Sequence, residues 1–587
     1  MIKRFICCFL LLAPLCLAAE TVSPVKAGKL AGDILRAQGC KSVSVRQVEE
    51  PQYLTKASFY DPAYYVFEGD RGGFVIMASD DRVKPVIGWS AEGSYRPEEV
   101  PSNMRAWLNM WEDIMAAVKE GREAPQMDAG REWEALEKQL IPCYANEKKY
   151  ETATWGQDDP YNIYCPRYND ELSATGCVAT ATAIVMRCHK WPEAGHGELP
   201  SYTYIDDEEI ERSINGLTLG NVYDWDNMPL KVNSGTSLES QKQIARLMAD
   251  VAIMAQSSFY PTGTGAHPVN AAAGLAEYFY YDASIVTFFK EYFTAEEWIA
   301  MLKDNLDNVG PIVYAGYSRD GGHAFVLDGY NSKGQFSINW GWGGSGNGYF
   351  TFPSFQGFNE GHQAVINMKK DEGGTPAEVL CIDGNGDGGG LTSETTEFEV
   401  GVPFDVNCEF IFNMSAQTFT GNFALAVVHR DGTMGEILDQ TEEPFVLEAF
   451  YGESLYSTEL VITEPISIGD HIRMFFNSEN TPEWTPIPGN KEDDYYVPES
   501  IPIADALYLD EATSFNYSAE SGVLSVTTKK DAEWRLADAD GNEYTDGIDF
   551  TDGVLTINAK DYPLGSYFLT LTKADDSKTI EFVFGSN

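Results

Sequence analysis

The spacing of apolar residues changes along this chain, and that change constrains its fold more than any other feature. Up to about residue 302 apolar residues recur at helical spacing, with a few short strand-like runs between them, and from about 311 to 352 the runs are strand-like. Beyond about residue 398 apolar and polar residues alternate in short runs separated by turn residues. Separate helical and strand stretches predict an α+β architecture, and regular alternating runs predict β-sandwiches.

The chain has 587 residues, which is too many for a single hydrophobic core. Changes in composition and Pro- or Gly-rich joints indicate where it divides. The predicted parts are a signal peptide (1–19), an α+β N-terminal domain (20–145), a central α+β domain with a helical half and a strand half (146–370), a Gly- and Asp-rich linker (371–392) and two β-sandwich domains (393–500 and 501–587). A helical half beside a strand half allows a cleft between the two.

The first twenty residues have the features of a secretory signal peptide. The basic residues Lys3 and Arg4 precede an apolar run, and small residues follow it at positions 18 and 19. No later apolar run is long enough to span a membrane. We therefore expect a secreted or cell-surface protein. Lipid attachment at Cys16 is a minor alternative, because Leu15 is bulkier than the residue that normally precedes a lipidated cysteine.

The overall charge excludes two classes of partner. The chain has 89 acidic and 41 basic side chains, and its formal net charge is −48. Such a charge repels nucleic acid and anionic lipid, so we expect neither as a partner. The charge carries no information about the fold.

The number of cysteines indicates an unpaired thiol. Three of the ten cysteines, Cys7, Cys8 and Cys16, lie in the signal peptide, which leaves seven in the mature chain. An odd number in an exported protein leaves at least one thiol unpaired. Free buried cysteines are common, but the count gives weight to a reactive cysteine.

Cys177 has the sequence context of a nucleophile. In ELSATGCVATATAIVMRCHKWP it follows Gly176 and begins a run of helix-forming residues, with Thr175 available as a helix cap. A thiol in the first helical turn faces the positive end of the helix, which lowers its pKa and favours the thiolate. The alternative is that Cys177 is simply a small apolar residue that packs well.

A cysteine nucleophile needs a base, and histidine is suited because its pKa is near neutrality. Of the seven histidines, His323 differs from the others, because in GGHAFVLDGY it begins an apolar strand behind two glycines. His189 lies in the same predicted helix as Cys177 and cannot reach back to it. The remaining histidines lie in loop-like or sandwich segments: His196, His267, His362, His429 and His471.

The strand after His323 predicts which residues lie near the imidazole. The segment 331–334 reads as a hairpin loop that pairs Tyr330 with Gln335. Counting back from that pair, Phe325 opposes Trp340, and His323 opposes Trp342.

Such a site also needs a residue beside the imidazole and hydrogen-bond donors for the oxyanion. Trp340 is the first choice to cover the imidazole, because it shares a face with His323, and Asn339 is the alternative partner on the other face. An oxyanion needs two donors, for which the backbone N–H of Cys177 and the side-chain amide of Gln157 are candidates. The alternatives are that Trp340 belongs to an aromatic corner of the core and that Gln157 is a surface residue.

Five segments together resemble the streptopain family, papain-fold cysteine endopeptidases that are secreted as zymogens. The resemblance covers Trp155 to about Met368 in order, in the segments WGQDDPYN, ATGCVATATAIVM, LMADVAIMAQSSFYPTGTGAH, GGHAFVLDGY and NWGWGGSGNGYF. It implies a papain-like fold for the central domain. It also implies that the segment before Trp155 is an inhibitory prodomain, so that the partners are protein or peptide substrates and the chain's own prodomain.

The resemblance also implies roles for individual residues. Cys177 corresponds to the nucleophile, His323 to the general base and Gln157 to the oxyanion donor. Gly322 and the loop around Gly265 correspond to substrate-contacting positions, and we include Trp342 with them. The loop reads PTGTGAHP where the family tends to have serines, so its contacts with substrate are expected to differ.

The leading hypothesis is thus a secreted cysteine endopeptidase that processes its own zymogen. A peptidoglycan amidase with the same Cys-His chemistry and a surface-binding protein with a vestigial peptidase domain are the alternatives. We expect no cofactor and no metal. The segment from Asp383 to Glu394 fits a calcium-loop pattern without helical flanks, so a plain linker is favoured there. The pair Cys188-His189 lacks a second pair at zinc-ligand spacing.

Overall fold

The structure, a computed structural model, describes residues 21–584 except for a set of short segments. These segments are 42–43, 50–60, 123–125, 127, 142–143, 169, 207, 319–320, 353–360, 384–388, 396–397, 416, 468, 492–496, 504–513, 519–522, 529–531, 539–540, 546–547, 552–553, 559–561, 564 and 574–575. The chain forms two compact units, one made chiefly of the chain up to Val379 and the other chiefly of the chain from Leu380 onward. No helix in the described segments combines the length and apolarity that crossing a bilayer requires.

The N-terminal region (20–145) is an α+β unit, as predicted. Its helices are α1 (Pro24–Ala37), α2 (Ser102–Glu120) and α3 (Ala129–Glu137), and its strands are β1 (Val45–Val48), β2 (Tyr64–Gly69), β3 (Phe74–Ala78) and β4 (Val86–Ser90). Neighbouring strands in this region pair antiparallel in chain order.

The central region (146–370) has a helical half and a strand half, again as predicted. Its helices are α4 (Cys177–His189), α5 (Leu238–Met254), α6 (Pro268–Tyr278) and α7 (Ala295–Asn308). Its strands are β5 (Asn146–Lys149), β6 (Arg167–Tyr168), β7 (Glu171–Leu172), β8 (Glu198–Leu199), β9 (Tyr202–Ile205), β10 (Glu211–Ile214), β11 (Leu217–Thr218), β12 (Val286–Phe289), β13 (Ile312–Ser318), β14 (Gly321–Asn331), β15 (Phe336–Asn339), β16 (Gly348–Phe350) and β17 (Gln363–Ile366).

One sheet runs through both regions. Its described strands lie in the order β1-β2-β3-β4-β16-β15-β14-β13-β17-β12, with β5 also paired to β14. The regions meet where β4 pairs with β16, and there Trp89 and Tyr349 lie opposite each other with their rings stacked 5.0 Å apart. The N-terminal region therefore extends the central sheet across the edge strand β16, and backbone hydrogen bonds as well as side chains hold the two together.

Alternate residues of β14 face two different hydrophobic cores, because side chains alternate along a strand. Ala324 and Val326 pack in the core that also contains α4 and α5. Phe325 and Leu327 pack in the core shared with the N-terminal region. Helix α4 packs on β14 and α5, and every residue from Val178 to Met186 is buried.

The turn between β14 and β15 differs from the prediction by one residue. Tyr330 pairs with Phe336 rather than with Gln335. A bulge between Leu327 and Gly329 then takes up the extra residue. The extra residue is Asp328, whose carboxylate is buried and accepts a hydrogen bond from the hydroxyl of Thr152, outside the β14–β15 pair.

At the other end of this strand pair the predicted register is confirmed. Val326 pairs with Asn339, which brings Phe325 opposite Trp340, and the rings of these two lie 4.9 Å apart. The one-residue error at the turn and the unpredicted bulge therefore cancel before the strand reaches His323.

The second unit contains a first β-sandwich, built from two sheets over one core. Its strands are β18 (Leu380–Asp383), β19 (Leu391–Thr392), β20 (Phe404–Asn413), β21 (Phe419–Val428), β22 (Met434–Gln440), β23 (Phe445–Leu447), β24 (Gly452–Leu460), β25 (His471–Ser478), β26 (Thr485–Pro486) and β27 (Ser500–Pro502). The predicted linker 371–392 is therefore partly strand, since β18 and β19 both pair with β20. Leu380 and Ile382 are buried, although the stretch around them is rich in glycine and aspartate.

The second sandwich also has two sheets and its own core. Its strands are β28 (Ser514–Ser518), β29 (Val523–Thr527), β30 (Glu533–Asp538), β31 (Glu543–Tyr544), β32 (Ile548–Thr551), β33 (Val554–Asn558), β34 (Gly565–Lys573) and β35 (Asp576–Phe584). Because β27 pairs with β25, the first sandwich extends past the predicted boundary at residue 500.

Candidate active site

Cys177 is the first residue of α4, and Gly176 before it has to be glycine for two reasons. Its φ of +87° lies in the left-handed region. A Cβ at that position would also lie 2.7 Å from the carbonyl oxygen of Thr264. The predicted cap is wrong, because Thr175 does not cap the helix and its hydroxyl instead lies 2.7 Å from that of Thr180.

The thiol of Cys177 is free and only partly exposed. Burial raises its pKa above the ordinary value, and hydrogen bonding from the backbone N–H groups of Ala324, Val178 and Cys177 itself lowers the pKa by less. The N–H groups at the helix start therefore lower the pKa of the thiol as predicted, but burial outweighs them and the net direction is upward.

His323 lies on the strand that passes this thiol. It is directly opposite Gly316 on β13, and the next residue, Ala324, is the one whose N–H faces the sulfur of Cys177. Strand alternation puts the Cβ of His323 on the same face as Phe325. The structure thus places the backbone beside His323 against the thiol of Cys177, and the pairing of the imidazole with that thiol stays a prediction.

Trp340 is fully buried. Its indole N–H donates to the carbonyl of Gly346, and its ring contacts those of Trp107, Phe325 and Phe350. Trp107 belongs to α2, so Trp340 packs against the N-terminal region through this ring contact.

The side-chain amide of Asn339 forms hydrogen bonds to residues of two different segments. Its amide nitrogen donates to the hydroxyl of Thr152 and to the carbonyl of Ala153, at 3.1 and 2.9 Å. Its amide oxygen accepts from the N–H of Gly341 at 3.2 Å. Asn339 therefore connects the entry segment of the central region to the turn that follows β15.

Gln157 lies on a short segment that crosses close to Cys177. The carbonyl of Gln157 accepts from the N–H of Thr175 at 3.0 Å, two residues before the thiol. Two residues earlier, the carbonyl of Trp155 accepts from the N–H of Gly343 at 3.0 Å. Gln157 is 6% exposed, so it is not the surface glutamine of the alternative interpretation.

The three residues assigned to substrate contact are at least partly accessible. Gly265 and Gly322 are exposed, and Trp342 is half-buried. The N–H and C=O of Gly265 both bond to Ser258, while the space where a side chain would stand is open. The indole N–H of Trp342 is buried and has no hydrogen-bond partner among the described residues.

Two residues that the sequence did not single out contact these strands, Asn103 beside the residue after His323 and Asp328 farther along β14, towards the Cys188 end of α4. Asn103 of α2 is buried, and its amide nitrogen donates to the carbonyls of Trp340 and Ala324 at 2.7 and 3.3 Å. Asp328, on the bulge of β14, accepts from the hydroxyl of Thr152 at 2.5 Å. The contacts of Asn103 could not be predicted, because a single asparagine in a helix gives no indication of a distant partner. The role of Asp328 could not be predicted either, because it depends on the bulge in β14.

The described residues indicate no metal centre at the site. Among the described residues no three His, Cys, Asp or Glu side chains are grouped closely enough to hold a metal ion. Cys188 and His189 end α4. The centre of the calcium-loop pattern, residues 384–388, lies outside the described residues.

Comparisons with known proteins give matches for the central and N-terminal regions. Residues 155–350 match the Peptidase C10 family, and residues 19–115 match the Spi protease inhibitor family. The thiol protease/hemagglutinin PrtT of Porphyromonas gingivalis is 34% identical over 305 residues, which cover 51% of this chain and 35% of that protein. Streptopain of Streptococcus pyogenes is 28% identical over 335 residues, which cover 52% of this chain and 80% of streptopain.

The structure of a prointerpain A fragment from Prevotella intermedia is 27% identical and covers 56% of this chain and 98% of that one, with a TM-score of 0.44. The matched part of the chain spans about a third of the length of PrtT.

Proposed function

Because residues 155–350 belong to the peptidase C10 family, we propose that this protein is a cysteine endopeptidase that hydrolyses protein substrates through an acyl-enzyme. One observation carries the proposal: the thiol of Cys177, at the start of α4, lies against the N–H of the residue that follows His323. A thiol, an adjacent imidazole and helix-terminal N–H groups are the components that thiol acyl transfer needs.

In the proposed reaction the imidazole of His323 takes the proton of the Cys177 thiol, and the thiolate attacks the carbonyl carbon of the scissile peptide bond. The tetrahedral oxyanion receives hydrogen bonds from the N–H of Cys177 and the side-chain amide of Gln157. Its collapse breaks the C–N bond, and the imidazolium gives its proton to the leaving amine. A water molecule, deprotonated by His323, then hydrolyses the thioester and regenerates the thiol.

The raised pKa of the Cys177 thiol agrees with this division of roles. Burial alone makes the thiolate unfavourable, so ionisation depends on formation of the imidazolium beside it. A positive imidazolium lowers the pKa of the thiol by direct charge attraction, and the backbone N–H groups add to that effect.

Trp340 is proposed to shield the imidazole, with Asn339 as the alternative. The buried position of Trp340 on the face of Phe325 supports the first assignment. The hydrogen bonds of Asn339 to Thr152, Ala153 and Gly341 support a role for Asn339 in holding the surrounding backbone. Gly265, Gly322 and Trp342 are proposed to contact the substrate.

The N-terminal region is proposed to keep the enzyme latent as a prodomain. Its match to the Spi protease inhibitor family, the β4–β16 pairing and the two hydrogen bonds of Asn103 support this. Asn103 bonds to the strand of His323 and to the residue after Asn339, so the prodomain contacts the elements that carry the proposed catalytic groups.

Activation is proposed to be self-cleavage in the connector after α3. Leu140 there is 65% exposed, whereas Asn146–Lys149 form β5 and pair with β14. The cut is therefore proposed to fall after α3 and before Asn146. The signal peptide at 1–19 supports export, although it lies outside the described residues.

The test is expression of the full chain with Cys177→Ala. We expect that variant to remain full length and to release no peptides from casein, whereas the unmodified chain shortens and hydrolyses casein until a thiol alkylator is added. His323→Ala should be nearly as inactive, and His189→Ala, which removes an imidazole from the far end of α4, should keep most activity. Processing of the Cys177→Ala chain when expressed alone would refute self-cleavage, and equal losses in both histidine variants would refute His323 as the base.

A further inference from the structure

The loop 257–266 contacts the residues just before Cys177 but has little structure of its own. It includes Pro261, Gly263 and Gly265, and within it the described backbone forms one isolated β-bridge, between Ser258 and Gly265. Glycine-rich segments of this kind have high conformational entropy, so their geometry depends on anchors from outside.

One end of the loop is tied to the residues just before Cys177. The hydroxyl of Thr264 donates to the carbonyl of Ala174 at 2.7 Å, and the N–H of Ala174 donates to the carbonyl of Tyr260 at 3.2 Å. The carbonyl of Thr264 also lies where a side chain on Gly176 would stand. A shift of this loop would therefore change the surroundings of Gly176, the residue directly before the thiol.

The other anchors come from the hairpin β9–β10. Tyr202 and Tyr204 are two residues apart on β9, so both side chains lie on one face of the hairpin. The hydroxyl of Tyr202 donates to the carbonyl of Ser257 at 2.8 Å, and that of Tyr204 donates to the carbonyl of Phe259 at 2.9 Å. Two alternate carbonyls of the loop are thus held by two alternate residues of the strand.

A buried carboxylate supports this hairpin from behind. Asp206, at the end of β9, accepts from the hydroxyl of Tyr168 at 2.9 Å and from the Nε of Arg212 at 2.7 Å. The guanidinium of Arg212 stacks 4.2 Å over the ring of Tyr168, and that ring meets the ring of Tyr260 at 4.7 Å. The hairpin thus contacts the loop through a third tyrosine as well.

We propose that Tyr202 and Tyr204 are positioning residues for substrate, and that the hairpin β9–β10 determines peptide affinity by setting the position of the loop 257–266. This inference rests on the proposed peptidase activity and assigns the element that controls its substrate affinity. The tyrosines do not touch the reacting atoms. Loss of one hydroxyl allows the loop to leave its binding position, and the substrate then has to order the loop when it binds. The effect falls on KM rather than on kcat.

The test compares mature Tyr204→Phe with mature Tyr150→Phe. Each change removes one tyrosine hydroxyl that donates to a backbone carbonyl at 2.9 Å, but Tyr150 bonds to Leu306, away from the loop. Kinetics are measured with a set of fluorogenic peptides, and the rate of Cys177 alkylation by iodoacetamide is measured alongside. Iodoacetamide is too small to need the loop.

We expect Tyr204→Phe to raise KM about five- to tenfold, the net effect of one hydrogen bond, with kcat and the alkylation rate within about twofold of the unmodified enzyme. Tyr202→Phe should act in the same direction, and Tyr150→Phe should leave KM unchanged. The proposal is refuted if Tyr204→Phe and Tyr150→Phe have the same KM, or if Tyr204→Phe lowers kcat and the alkylation rate together. Absence of hydrolysis by the unmodified enzyme would refute the proposed function instead.

Discussion

The buried amide of Asn103 allows a quantitative test of the proposed inhibition by the N-terminal region. The side chain is 3% exposed and donates to the carbonyl of Trp340 at 2.7 Å and to that of Ala324 at 3.3 Å. Asn103→Ala removes the amide group, so the buried carbonyls of Trp340 and Ala324 each lose a hydrogen-bond donor. Since each lost bond of this kind costs about 1–2 kcal/mol, the variant should weaken the contact by about 2–4 kcal/mol.

The measured quantity is the inhibition constant of the separate N-terminal region (20–145) against mature enzyme. A loss of about 2–4 kcal/mol corresponds to an inhibition constant about 30- to 1,000-fold higher. Circular dichroism of the fragment checks that the substitution leaves α2 folded, as expected because alanine favours helix. The matched control is Ser102→Ala, which alters the exposed neighbour at the same helix start.

The same substitution in the full chain should shorten the lag before activity appears. The reasoning is wrong if the Asn103→Ala fragment inhibits within about threefold of the unmodified fragment. It is also wrong if Ser102→Ala weakens inhibition equally, because the effect would then come from the helix start rather than from the two hydrogen bonds.

Three further outcomes are expected. Gln157→Ala should lower kcat about a hundredfold or more and affect KM less, and an unchanged kcat would remove Gln157 from the oxyanion site. Edman sequencing of the mature enzyme should place its first residue at or before Asn146, and an active chain that begins beyond Lys149 would contradict the role of β5. Burial raises the pKa of Asp250 to about 6, so this carboxyl binds more protons folded than unfolded between about pH 4 and 6, and its contribution to stability falls as the pH rises through that window. In a Cys177→Ala background, Asp250→Asn should therefore raise the free energy of unfolding by urea by about 1–3 kcal/mol at pH 7.5 and by little at pH 4.5, and equal effects at both pH values would exclude the titration.

Local patterns were sufficient for the parts of the fold that local forces determine. The helix at Cys177, the strand after His323 and the alternating runs of the two sandwiches follow from the spacing of apolar residues and from turn residues. The opposition of Phe325 and Trp340 was predicted correctly only because the one-residue error at the turn and the bulge at Asp328 cancel.

Local patterns were insufficient wherever a distant segment decided the outcome. The β14–β15 turn was off by one residue because a bulge at Asp328 is stabilised by a carboxylate that bonds to Thr152, far away in sequence. The pKa of Cys177 was expected to fall because of the helix terminus, but burial by the surrounding cores outweighs that local effect.

The sequence by itself thus determined the kind of chemistry and the elements that carry it, because a helix-starting cysteine, a strand-starting histidine and their apolar stripes are local properties of the chain. The tertiary structure decided which groups meet. It joined the N-terminal region to the central sheet through β4 and β16, brought Asn103 to the strand of His323, and set two tyrosines of β9 against the loop 257–266. These contacts join residues from 55 to more than 200 positions apart. Such contacts form because buried polar groups need hydrogen-bond partners. The partners follow no regular spacing along the sequence, so the sequence pattern does not predict them.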